Sequence, residues 1–372
     1  MTMNRILISL LLAISFVNIS SANVIHSSWI GQDQDQWTNP VNWVPQIVPQ
    51  NNAQNSYAVT IDSNQHIRIE AGNINDYQDG IQINTLDCYG DIDLEFGEVS
   101  LVLKDPNGIT NYGKFQISGA GVEHTIRGNF NNTDTGYFQA ANYVDLNGAL
   151  NNAGELFVIP NGNLSVDGNI VNNGKFQLYN GTLSCGSAIN NIQGGSIEGS
   201  GIIFSMQGFM NNGTITASGQ LQMATYGYVE NRGILCNSPL GSLIISQVNE
   251  TKLAKNVGTI KVNAGGVAFN GELDNEPNGV IELKNGVIAA SIIKHSKGAM
   301  LEGFGGITGD LVMESESLIK ITGPTNIIGD LYIAPDAVLQ ITEGTMIVTG
   351  KTTCEGTVSL TGGHIVYQGG LE

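Results

Sequence analysis

The sequence predicts an all-β chain: a single-stranded parallel β-helix, or solenoid, with about 20 residues per coil and roughly 13 or more coils. Three observations predict it. An asparagine recurs ahead of short "xGxΦxΦ" segments, at Asn111, Asn132, Asn152, Asn173, Asn191, Asn212, Asn231, Asn256 and Asn275, with a mean step of roughly 20 residues. Around these positions, runs of three to five residues alternate apolar and polar side chains, as in Phe176/Leu178 and Leu183/Cys185. That is the period of a strand with one buried face, and no comparable window carries helical spacing. Gly, Asn-Gly and Pro-Asn-Gly separate the runs, and these residues accept the left-handed backbone angles of a sharp corner.

Each part of the chain follows in order. "MTMNR", the short apolar run from Ile6 to Val17 and the small residues Ser20, Ser21 and Ala22 read as a signal peptide over residues 1–22, cleaved after Ala22. That run is too short to span a bilayer, and no later run is long enough for a transmembrane helix. The expected product is secreted or displayed at the cell surface. Residues 23–62 hold Trp29, Trp37 and Trp43 among several prolines, a composition suited to capping the exposed edge of a first coil. A sugar-stacking surface is the functional alternative for these rings. Residues 63–372 form the repeat region.

Within the repeats, equivalent asparagines one strand spacing apart can join their amides into a column. The phase is expected to continue past the last asparagine through His295, Glu316, Asp336 and Glu355. Near the C-terminus "TGDLVMESESLIKIT" aligns with "IGDLYIAPDAVLQIT" at an offset of 20. This places Asp310 over Asp330, with Lys351 one further step along. The two carboxylates are candidate Ca²⁺ ligands, set against a solvated pair relieved by Lys351. The last residues stay in pattern, so the final coil is expected either to be covered by a partner, with self-association through it one form of this, or to continue into a longer product.

Composition limits the function. Among 372 residues only 15 are Lys or Arg against 33 Asp or Glu, for a net charge of -18. A chain so poor in clustered cations is not expected to bind nucleic acid. Its 41% hydrophobic content supports a substantial core. Cys88, Cys185, Cys236 and Cys354 lie too far apart along a rod to pair, so free thiols are expected.

The "NNG-x-Φ-x-Φ" coils resemble the right-handed β-helices of bacterial secreted adhesins, including autotransporter passengers and filamentous-haemagglutinin-type proteins. The opening "W-x-G…W-x-x-P-x-NW-x-P" also looks like the lead-in of large exported bacterial repeat proteins, and "DPNGI" from Asp105 is similar to the "NPNGI" of two-partner secretion domains. Right-handed coiling and an adhesive role are what the resemblance implies. Possible partners are then glycans or host-surface proteins.

The alternative is a polysaccharide-active β-helix enzyme, a lyase or glycoside hydrolase. Its candidate catalytic residues are Asp91, Asp93 and Glu95, which alternate with Ile92, Leu94 and Phe96 on one strand. Arg68 and Arg127 are the nearest arginines in sequence, expected one and two coils away. The histidines are dispersed, and neither a CxxC pair nor a nucleophile elbow occurs, so no cofactor is expected. A filament subunit is the remaining alternative.

Overall fold

The computed structural model describes residues 23–32, 36–70, 80–96, 100–118, 123–248 and 253–372, apart from the side chains of Glu70, Glu95 and Phe96. The expected signal peptide lies outside the described residues. Of the described residues 65% are strand, and they wind as a β-solenoid of about 14 turns with about 20 residues per coil.

Period-two alternation does the positioning. In Lys114–Ile117, Tyr137–Ala140 and Glu155–Val158 the second and fourth residues are buried while the others face outward. Stacking keeps this phase: Phe115 pairs with Phe138, Phe138 with Leu156 and Leu156 with Phe176, all in parallel register. Three such columns of strands wrap a single core. Following the chain through one coil, the first sheet contains Glu155–Val158, the second Asn163–Val166 and the third Ile170–Asn172. The apolar residues of all three join one continuous cluster running from Trp29 to Val348. Within it Phe130 lies 4.5 Å from Phe138 and 5.2 Å from Phe115, edge-on to the latter.

The third sheet reaches into the Trp-rich segment. Asn23–Trp29 pairs in parallel with Asn55–Ile61, and 58–61 pairs in turn with Thr85–Cys88. Trp43 lies across the end of this stack, paired antiparallel with Trp29. The three indoles pack edge to face at 5.0 and 4.7 Å, and Trp43 Nε1 donates to the Trp37 carbonyl at 2.8 Å. All three are at most 1% exposed. Their faces are occupied by one another and by the core, which overturns the sugar-stacking alternative and leaves the capping role. At the opposite end, Val358 and Ile365 are only partly buried and Leu360 is exposed.

The C-terminal register matches the offset of 20: Ile319 pairs with Leu339, Ile321 with Ile341 and Thr308 with Ile328. The four cysteines are free. Burial pushes the Cys88 thiol far up, so it stays protonated and unreactive.

Candidate functional site

The asparagine column is real, with two corrections of register. Nine buried asparagines (111, 132, 152, 172, 191, 211, 231, 256 and 275) form a directed ladder, each Nδ2 donating to the Oδ1 of the next at 2.7–2.8 Å. Asn172 and Asn211 occupy the rungs expected for Asn173 and Asn212; Asn173 is exposed and Asn212 half-buried. The cause is alternation: Ile170 points inward, so the residue two further on does too, and its neighbour must face out. Each Nδ2 also meets the backbone of the following coil, as Asn172 does at the Ser196 carbonyl, 3.0 Å away. The ladder therefore ties the third sheet to the first.

His295 closes the ladder. Its Nδ1 lies 3.0 Å from Asn275 Nδ2 and its Nε2 lies 2.9 Å from the Leu318 carbonyl oxygen. A donor on one side and an acceptor on the other select the neutral ring protonated at Nε2. Burial pushes its pKa below the ordinary value, against the opposing pull of the Leu318 and Ala299 carbonyls and the Glu314 carboxylate. Beyond His295 the column continues through Met313, Ile333 and Cys354, and the expected phase positions do not lie in it. Glu316 and Asp336 occupy turns, at φ of 58° and 63°, while Glu355 follows Cys354 at the corner.

Asp310 and Asp330 are stacked as expected, but the relief between them comes from backbone. The Asp330 amide donates to Asp310 Oδ1 at 2.9 Å and the Lys351 amide to Asp330 Oδ1 at 2.8 Å. The Lys351 ammonium turns instead to Glu372, 2.6 Å away. Among the described residues, no group of three or more His, Cys, Asp or Glu side chains could hold a metal ion.

The acidic strand is the site that stacking enriches most. Asp93 sits in register between Arg68 below and Gln116 above, and Asp91 between His66 and Lys114. Ser118 Oγ donates to Asp93 Oδ1 at 2.7 Å. Arg127 belongs to the second sheet, paired with Val102 and Asn147, and so is not part of this face. The side chain of Glu95 lies outside the described residues.

His124 is a neighbour that sequence reasoning missed. It is fully buried, and neither ring nitrogen has a hydrogen-bond partner among the described residues. Burial lowers its pKa, and the Asp93 carboxylate acts in the opposite direction. Asp93 and Ser118 meet near the corner where the first sheet passes to the second, and the buried His124 on the second sheet is near enough to feel the Asp93 carboxylate. No spacing in the sequence marks this grouping, because only the stacking of adjacent coils creates it.

This chain matches no family model, no curated protein and no solved structure.

Proposed function

We propose that the chain is a secreted or surface-displayed rod that adheres to glycans or host-surface proteins through its outward polar face. The observation that supports this reading is the outward column of the first sheet. Asp93, Gln116, Gln139, Phe157, Gln177, Glu198 and Thr216 follow one another in unbroken parallel register. Each side chain is held about one strand spacing, 4.8 Å, from the next by a buried core. A ligand meeting such a face encounters contacts that are already ordered, so little conformational entropy is lost on binding, and many weak contacts add along the rod.

The test is binding of the chain to a glycan array and to host-cell surface proteins. Retention of at least one class, with no chemical change in the ligand, is the expected outcome. Release of unsaturated or reducing ends from polysaccharide, abolished in Asp93→Ala, would instead favour the enzyme. Concentration-dependent light scattering without ligand binding would favour the filament subunit.

A further inference from the structure

A pair of matching irregularities interrupts the corner between the first and second sheets. In most coils this corner breaks the chain into two short strands, but in two sets of three successive coils one strand runs straight through. The first set is Lys175–Cys185, Ser196–Ser205 and Thr214–Thr225. The second is Val280–His295, Met300–Met313 and Leu318–Ile328.

The two sets are built alike. Each begins with an Asn-Gly bulge, at Asn180 and Asn285, with φ of 55° and 60°. Each continues with Glu-Gly-x-Gly, from Glu198 and again from Glu302, 104 residues later. Gly199 and Gly303 take φ of 137° and 116°, and at either a Cβ would fall 1.9 Å from the carbonyl oxygen one coil below. Only glycine fits there, so both sets carry the same close approach of backbone to the coil below, and a groove lies beside each.

The first groove, of about 320 Å³, is walled by Asn180, Thr182, Gln220 and Gln222, with Ile202 between them. Thr182, Gln220 and Gln222 make no side-chain hydrogen bond among the described residues, unlike the amides of the inner ladder. Tyr179, next to Asn180, is 44% exposed and Ile202 45%. The second groove, of about 430 Å³, has Phe304 and Thr322 with Glu282, Lys284 and Glu302. Lys284 and Glu282 pair at 3.7 Å. Apolar surface flanked by a few hydrogen-bonding groups is the usual lining of a small-ligand site. Here those groups are mostly amides, hydroxyls and carboxylates, which suit a ligand rich in hydroxyl groups with apolar ring faces.

We propose that the two grooves are paired subsites for one extended, uncharged polysaccharide running along the rod. The inference rests on the adhesive reading and specifies its ligand. Five coils separate the grooves, about 24 Å at the strand spacing. A polymer can span that distance, and binding at one groove raises the effective concentration at the other. The net charge of -18 and the uncharged first groove disfavour polyanions.

The test is affinity electrophoresis of the full chain in arabinoxylan, mixed-linkage glucan, galactomannan and polygalacturonate, with calorimetry on trisaccharides of the polymer retained. Gln220→Ala/Gln222→Ala disables the first groove and Phe304→Ala/Thr322→Ala the second. Gln220→Arg, at an exposed position, blocks the first groove without touching the core. An uncharged polymer should be retained, and either double variant should weaken its binding by about tenfold or more as bivalency is lost. The trisaccharide should bind at two sites in the parent and one in each double variant.

If polymer binding survives all four substitutions, the grooves are not the site, while the adhesive reading stands. Preference for polygalacturonate would overturn the ligand class. Failure to retain any polymer would overturn the inference; the adhesive reading would fall with it only if the glycan array and host-protein assays were also blank.

Discussion

At the scale of the residue, the ladder makes a test that separates adjacent asparagines. Asn172 accepts from Asn152 and donates to Asn191 and to the carbonyls of Gly174 and Ser196. Asn172→Ala strands a buried donor below and a buried acceptor above, each costing about 1–3 kcal/mol. Asn173→Ala removes an exposed side chain and should stay within about 0.5 kcal/mol of the parent. Urea unfolding of the two variants should show a large loss for the first only, and the reverse ranking would move the column by one residue. The end of the ladder adds a dependence on pH. His295 has a folded pKa below its unfolded value near 6.5, so the unfolded chain binds more protons and stability falls as pH drops below about 6.5. His124 is shifted in the same direction. His295→Asn extends the amide column and should flatten the loss between pH 7.5 and 5.5, leaving the share due to His124. An unchanged slope in urea midpoint against pH would remove His295 from this role.

At the scale of the element, the sequence is legible wherever local chemistry decides the conformation. Corners between the third and first sheets are written as Asn-x-Gly, in Asn111-Tyr112-Gly113 and Asn231-Arg232-Gly233, or with three residues between, as in Asn132 and Gly136. Counting back from glycine by this rule would have selected Asn172 and Asn211, whereas choosing the asparagine nearest the glycine selects the outward neighbour. The tryptophan cap was readable as one of two roles for these rings, an edge needing cover, and only their burial decides against sugar stacking. Illegible were the features that join unlike positions of neighbouring coils, where no repeat aligns the partners. Nothing in the Glu-Gly-x-Gly segments marks continuous strand, because glycine usually marks a turn or a bulge. In the stack they carry a strand through a corner, since the neighbouring coil supplies the carbonyls that hold it there. The same holds for Asp93, whose alternation was plain but whose Ser118 hydrogen bond joins residues on successive coils.

At the scale of the whole molecule, the solenoid should behave as a stack of nearly interchangeable layers, because each coil touches only its neighbours. Leu150 pairs with Ile170 and Ile170 with Ile189, so the backbone returns to the same place at each of these positions. Deleting residues 150–188 joins Ala149 to Ile189 and removes two coils, leaving Asn132 to donate to Asn191 across the new junction. The first and second sheets close in the same way, with Tyr137 meeting Ser196 and Tyr143 meeting Ile202. The shortened protein should keep its β-sheet circular dichroism, while small-angle scattering should give a maximum dimension about 10 Å smaller, two strand spacings. Deleting ten residues from 150 onward brings corner residues onto strand positions and puts polar side chains into the core, so that variant should aggregate or unfold. If the half-coil deletion folded as well as the two-coil deletion, stability would not arise from register between adjacent windings.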